Sequence, residues 1–174
     1  MPPAVRRRRP TLHLLHGLPG AGKTRFARIL EREIGAERFT HDAWMHRLFG
    51  ARPPAERFHD YHVQVSAMIW DLAEKALRMN RDVILDFGFW TRRDRDEARA
   101  KAERLGARVR LYALVCDRAT MLERLRERNR VEDPESLPVD EPTFHAFAAA
   151  LEAPGADEGP VQVETTTHGY RILQ

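Results

Sequence analysis

Eight consecutive residues carry the sharpest chemical signal in the chain: Gly17-Leu18-Pro19-Gly20-Ala21-Gly22-Lys23-Thr24. They fit the pattern G-x-x-x-x-G-K-[ST]. An apolar run, Thr11 to His16, precedes them, and an amphipathic stretch, Arg25 to Ile34, follows. Strand, glycine-rich loop and helix is the order in which such a loop wraps phosphate. Glycines let the backbone turn tightly and aim N–H groups at phosphate oxygens, and the helix N-terminus also favours anions. In that geometry Lys23 reaches the β- and γ-phosphates of a nucleoside triphosphate, and the Thr24 hydroxyl ligates Mg²⁺. The bland alternative, a chance glycine-rich turn with a lysine, arises in about one shuffled chain in a thousand.

Phosphoryl transfer further needs neutralised charge and a group that accepts the incoming hydroxyl's proton. Asp42 stands where a short second strand, residues 37–41, gives way to a helical pattern. As a general base it would take that proton; capping the helix explains the same residue type. Asp86 ends a compact strand, residues 82–86, and is the candidate to hold Mg²⁺ through water. A strand-end cap, or an ion pair with Arg92 or Arg93, is its alternative. Arg124 and Arg128 lie four apart and share a helix face. Over a transferring phosphate such a pair would stabilise spreading charge and exclude water. A solvated face paired with Glu123 and Glu127 is the competing view, and the better one for Arg126. Arg47 and Trp90 join Asp42 and Asp86 as acceptor-side candidates. Trp44, Phe87, Phe89 and Trp90 could line an acceptor pocket, but aromatics near a sheet are more often core. His59 and His62 share a face without a third ligand, so no metal site is expected there.

These residues have to be positioned by the elements between them. Residues 42–49 read as a helix with Trp44, Met45 and Leu48 inward, and residues 50–54 as a break. The longest helical pattern, 56–80, puts Tyr61, Val65, Met68, Ile69, Leu72 and Ala76 on one face. Thr91 opens a helix to Leu105 that Gly106 closes. A strand, 108–116, precedes a helix that Asp117 caps and that runs to about Asn129. Residues 131–139 form an irregular loop, Pro142 begins another helix, and 161–165 form a last strand. Strands alternating with helices imply right-handed β-α-β units and a parallel sheet with helices on both faces. Ligands of such sheets gather at the strands' carboxyl ends. Gly17–Thr24, Asp42, Asp86 and Thr91–Arg93 all fall there.

Composition narrows the partners. The 174 residues, 43% hydrophobic and 32% charged, suit one globular domain. The excess of base is local: without Arg6 to Arg9, 25 basic residues face 26 acidic ones. Residues 1–10 thus read as a flexible basic leader and 11–174 as a single domain. Four leader arginines could touch nucleic acid or another acidic surface, although a solvated tail is the plainer reading. The single cysteine, Cys116, excludes a disulfide framework and fits a reducing cytoplasm. No apolar run is long enough to span a membrane. Only three of the 29 basic residues are lysine. The phosphate loop holds one of them, where a slim point charge suits better than a guanidinium fork.

With Gly17–Thr24, Thr40-His-Asp-Ala-Trp-Met-His-Arg-Leu-Phe-Gly50, Val83-Ile-Leu-Asp-Phe-Gly-Phe-Trp90 and Leu122-Glu-Arg-Leu-Arg-Glu-Arg-Asn129 in view, the chain resembles small P-loop kinases. The likeness is greatest to the group of zeta-toxin-like kinases and chloramphenicol phosphotransferase, over about residues 11 to 165. The resemblance implies a three-layer P-loop NTPase fold like that of nucleoside-monophosphate kinases, with a five-stranded parallel sheet of order 2-3-1-4-5. It implies ATP and Mg²⁺ as cofactors, Asp42 as base for the acceptor hydroxyl, Arg124 as a base-stacking or phosphate residue, and Arg128 as a cation of a lid near 124–141. Polynucleotide 5′-kinases, more distant relatives, carry Asp-x-x-Arg after the second strand, whereas here Met45 holds that third position and the arginine is Arg47. The expected activity is transfer of the γ-phosphate to a small-molecule hydroxyl. A nucleic-acid end kinase and a non-catalytic nucleotide-sensing module are the alternatives.

Overall fold

The computed structural model describes residues 8–131, 133–166 and 168–173. Its elements are β1 (Thr11–His16), α1 (Lys23–Ile34), β2 (Glu37–Thr40), α2 (His41–Phe49), α3 (Ala55–Arg78), β3 (Val83–Asp86) and α4 (Arg92–Arg104). They continue with β4 (Arg108–Leu114), α5 (Arg118–Val131), α6 (Glu141–Ala150), a 3-10 turn (Ala156–Glu158), β5 (Val161–Thr166) and β6 (Gly169–Ile172). The sheet order is β2-β3-β1-β4-β5-β6. β1 to β5 pair in parallel in the order 2-3-1-4-5. β6 adds an antiparallel edge by folding back on β5, with Thr166 opposite Gly169. The sequence reading stops at β5, so this sixth strand corrects it: no Asn-Gly or Asp-Gly marks the hairpin.

Alternation along β1 sends successive side chains to opposite faces. Leu12 and Leu14 join Val83, Leu85, Val65, Ile69, Ala98 and Ala102 on one side. Leu15 joins Ile84, Phe26, Ala27, Leu125, Phe144 and Val163 on the other. Complete burial of such a side chain contributes about 1.5–3 kcal/mol, so the two helical layers are bound to the sheet by ordinary core packing. α1 ends at Gly35, whose φ of 65° lets its N–H reach Glu31 O. Thr91 accepts from the Asp94 N–H and starts α4 as its pattern predicts.

Three inward assignments change. Met68 and Leu72 are exposed on α3, as is Leu48 on α2. α3 meets the sheet through the narrower stripe Val65, Ile69, Ala73, Ala76 and Leu77, while α2 buries Met45. Of the basic leader, residues 1–7 lie outside the described residues. Arg8 pairs with Asp82, which also accepts the Thr11 N–H at 2.8 Å. These contacts sit at the amino end of β1, across the sheet from its carboxyl-end loop.

One buried cation ties the carboxyl edge together. Arg95, wholly inaccessible, makes a two-pronged pair with Glu158 at 2.7 and 2.9 Å. Its remaining amino group donates to the carbonyls of Phe89, Trp90 and Glu152 at 3.1, 3.2 and 3.1 Å. The pair with Arg95 holds the Glu158 carboxyl down at about 2 against the opposing effect of burial, and the Gly155 N–H and Arg99 assist. Because the folded value lies below the unfolded one, this stabilisation is complete above about pH 4.5 and fades as pH falls toward about 2. Glu158→Gln is expected to cost about 3–5 kcal/mol near neutrality, since it strands a buried guanidinium. In denaturant titrations the gap to wild type narrows through that acid window; a gap constant with pH would contradict the assignment.

Candidate active site

The parallel sheet delivers the loop 17–22, the start of α2, the turn 87–91 and α5 to one edge. Gly20 and Gly22 adopt φ of 83° and 97°. At Gly20 a β-carbon would stand 2.6 Å from the Met121 carbonyl oxygen, and at Gly22 2.3 Å from Thr165 Oγ1. The loop therefore needs glycine twice over: for its left-handed turns and because α5 and β5 press against its backbone. Lys23 opens α1, and its ammonium donates to the carbonyls of Gly17 and Leu18, each at 2.9 Å. The Gly17 carbonyl also accepts the Trp90 indole N–H at 3.1 Å. Burial lowers the Lys23 pKa to about 8, opposed by Asp86 and Asp42 and reinforced by Arg128.

Asp86 is the most constrained group at this edge. Its register partner on β2 is Thr40, whose hydroxyl donates to it at 3.1 Å. The Thr24 hydroxyl also favours its ionised form. Arg38 stands 3.9 Å away and donates to the Thr40 hydroxyl. Burial pushes the carboxyl above its usual range, and Thr24, Lys23, Arg38 and Thr40 offset only part of that rise. The strand-end ion pair with Arg92 or Arg93 does not form: Arg92 pairs with Asp96 and Asp157, and Arg93 with Glu97. Thr24 and Asp86 side by side are two hard oxygen donors, one able to be ionic, beside the phosphate-binding lysine. That donor set fits Mg²⁺, which takes few protein ligands and completes its shell with phosphate and water.

Asp42 lies within the first turn of α2, whose cap is Thr40, so capping does not explain it. Its side chain is 48% exposed. Lost solvation raises its pKa, but the nearby His41 ring, 3.9 Å away, together with Lys23 and Arg128 outweighs that and holds it below the ordinary value. Arg128 completes the group. Its Nη2 donates to Leu137 O at 3.1 Å, while its buried Nε has no partner among the described residues. Burial lowers its pKa, against the pull of Asp42 and Asp133. Arg124 reaches the loop itself, donating to Gly20 O at 3.2 Å.

Asp42, Asp86, Lys23, Thr24, Arg124 and Arg128 are thus brought to one edge. Trp90 is there too, with its indole on Gly17 and its ring 4.5 Å from that of Phe147. Trp44 and Phe87 pack against the core and Phe89 is part of it. Arg47 is exposed on α2. Arg126 pairs with Glu141 at 3.0 Å, in keeping with a solvated role. Three residues that pattern reading passed over complete the surroundings: Arg38, His41 and Glu135. Glu135 belongs to the segment after α5 and accepts from Arg28 at 2.7 Å and Arg38 at 3.2 Å. Asn129 holds the same segment by bonding both the carbonyl and the N–H of Val139, at 2.9 and 3.3 Å.

Residues 12–154 match the model of the AAA_33 family, described as an AAA domain. The chain belongs to that family. In fold it is a P-loop kinase-like domain, similar to a candidate kinase from Chloroflexus aurantiacus at 17% identity and TM-score 0.74, over 92% of this chain and 91% of that one. A gluconokinase from Sinorhizobium meliloti 1021 is similar at 18% identity and TM-score 0.61, over 91% and 84%. A chain of the Pnkp1/Rnl/Hen1 RNA repair complex matches at 18% identity and TM-score 0.68, over 85% of this chain and 46% of that one. This chain therefore spans less than half of that one. No curated protein matches the sequence significantly. No helix among the described residues is long and apolar enough to cross a membrane.

The Arg38 hub carries a testable energetic consequence. Arg38→Met removes the cation shared by Asp86, Glu31 and Glu135, with an expected loss of about 3 kcal/mol in denaturant unfolding. Glu135→Gln touches a part-exposed pair and is expected to cost about 1 kcal/mol or less while making the segment 133–139 more open to proteolysis. Equal losses for the two variants would contradict Arg38 as the buried centre of the network.

Proposed function

We propose that the chain is an ATP- and Mg²⁺-dependent phosphotransferase that moves the γ-phosphate to a hydroxyl of a small molecule. The observation that carries this reading is the grouping around Asp42: a half-exposed carboxylate that shares its electrostatic surroundings with Lys23 and Arg128. An ionised carboxylate beside phosphate-binding cations can take a proton from a hydroxyl as that oxygen attacks phosphorus. Lys23 and Arg128 then neutralise charge on the transferring group. Mg²⁺, when bound, would draw charge from the phosphate oxygens; Thr24 and Asp86 are the residues to hold it. Gly17 to Thr24 would bind the triphosphate through backbone N–H groups, and Arg124 would close over the nucleotide from α5. On the acceptor side stand Asp42, Asp86, Arg47 and Trp90.

The gluconokinase among the structural neighbours supports a small acceptor. The RNA repair neighbour keeps an end kinase in view, but Arg8 is engaged by Asp82 at the opposite end of the sheet. Met45 is wholly buried in the core at the position where end kinases carry an arginine.

Lys23→Ala is expected to weaken ATP binding by about 10- to 100-fold, the worth of charge-assisted hydrogen bonds. Asp42→Asn should leave ATP binding within about twofold and lower transfer by about 10²- to 10⁴-fold. Calorimetry measures the first. A mass-spectrometric screen for metabolites that gain phosphate from ATP measures the second. Tight ATP binding without transfer to any hydroxyl would favour the sensing module, and wild-type transfer by Asp42→Asn would remove Asp42 from the chemistry.

A further inference from the structure

We propose that Arg38 is a positioning residue linking the Asp86 carboxylate to the turn 133–136, so that a divalent cation held by Thr24 and Asp86 also tightens that turn beside Arg128. The inference rests on the reading of Thr24 and Asp86 as the pair that holds Mg²⁺. Arg38 lies on β2 with its side chain 14% exposed, and its guanidinium serves two walls of the site. Nη1 donates to the Thr40 hydroxyl. A guanidinium has no acceptor, so the Thr40 oxygen accepts, and its one hydrogen is directed to Asp86 Oδ2 at 3.1 Å. The same Nη1 donates to Glu135 Oε2 at 3.2 Å, and Nη2 donates to Glu135 Oε1 at 3.4 Å. Nε is engaged by Glu31 at 2.9 Å. One amino group therefore meets both the strand end and the turn.

Three carboxylates share this guanidinium: Glu31, Glu135 and, at 3.9 Å, Asp86. Arg28 adds a second cation to Glu135 at 2.7 Å, and Lys23 faces Asp86. A divalent cation on Asp86 takes up that carboxylate's charge and repels the guanidinium. Glu31 and Glu135 are then the acids left for Arg38, and its pair with Glu135 strengthens. The turn is built to transmit this. The Glu135 N–H donates to Asp133 Oδ1 at 3.0 Å and the Ser136 N–H to Asp133 O at 3.1 Å, so a hydrogen-bonded turn presents Glu135. Two residues on, the Leu137 carbonyl accepts from Arg128 Nη2 at 3.1 Å. Drawing Glu135 onto Arg38 thus steadies the carbonyl that holds Arg128. The metal side of the site and its covering cation are set together.

The test needs neither an acceptor nor transfer. Amide hydrogen exchange at Glu135 and Ser136 is followed by NMR in the full chain with ADP, first with chelator and then with Mg²⁺. In wild type the ion should slow exchange at both amides by about two- to fivefold, the worth of a part-exposed ion pair. That response should vanish in Arg38→Met and in Glu135→Gln. Coupling is reciprocal, so Glu135→Gln should also weaken Mg²⁺ binding to the ADP complex, read by calorimetry, by a similar factor. Should Arg38→Met not fold, Glu135→Gln, on the more exposed side of the pair, carries the test. Exchange in wild type that ignores Mg²⁺, or a response that persists in Glu135→Gln, overturns the proposal. Thr24→Val separates it from the reading beneath it. Mg²⁺ affinity unchanged by that substitution removes the metal assignment and this inference with it. Affinity lost there, with wild-type exchange insensitive to the ion, removes this inference alone.

Discussion

The carboxyl edge is organised by the burial of one carboxylate, Asp86. Taking an ionised carboxylate out of water costs several kcal/mol, so the chain must bring donors and cations to it. They come from separate elements: Thr24 and Lys23 from α1, Thr40 and Arg38 from β2. A single charge thereby fixes the phosphate loop, β2 and β3 relative to one another. Burial drives Asp86 and Lys23 toward neutrality from opposite sides, and their mutual attraction resists both shifts. The lysine's two carbonyl contacts at 2.9 Å favour an ammonium, which brings three hydrogens to them. The pair is poised because it is costly, and a triphosphate with a hard cation is a natural third party to it.

A second buried charge does the same work one layer out. The turn after β3 places Phe89 at φ 38°, a left-handed conformation that costs a non-glycine residue about 1–2 kcal/mol. Arg95 and His16 both donate to the Phe89 carbonyl, at 3.1 and 3.0 Å, and hold the turn in that shape. The turn in turn delivers Trp90 to the Gly17 carbonyl. From Glu158 through Arg95, Phe89 and Trp90, a chain of polar contacts reaches the first glycine of the phosphate loop. Orientation of the glycine-rich loop is thus supported by a residue pair outside it.

Much of this was legible in the sequence, and the parts that were not share a cause. The loop motif, the carboxylates at strand ends and the parallel order of five strands follow from local pattern or from resemblance. Arg38, Arg95 and Glu135 look like surface charges in sequence, because their partners lie 97 residues away for Arg38 and Glu135 and 63 for Arg95 and Glu158. Charge content cannot say which arginine is buried; only the closed sheet does. Met68 and Leu72 fail for a related reason. Helical periodicity marks an apolar face wider than the stripe the sheet can cover, and residues at its margin stay in water. β6 is missed because its hairpin carries no strong turn pair and its strand is only four residues long.

The α5 side of the site follows an opposite logic to Asp86. Arg128 is half-buried and its Nε–H, which is buried, meets no protein acceptor among the described residues, a state that costs about 1–3 kcal/mol. Asn129, the Leu137 carbonyl and Glu135 nevertheless hold the segment beyond α5 in place. Asp42 and Asp133 attract the guanidinium charge without bonding that N–H. In the proposed reaction a phosphate oxygen would satisfy it, and binding would recover the cost that the free protein carries. Asp86 is complete before any ligand arrives; Arg128 is left incomplete. That asymmetry suits a site with one wall already rigid and a facing wall that a bound anion would tighten.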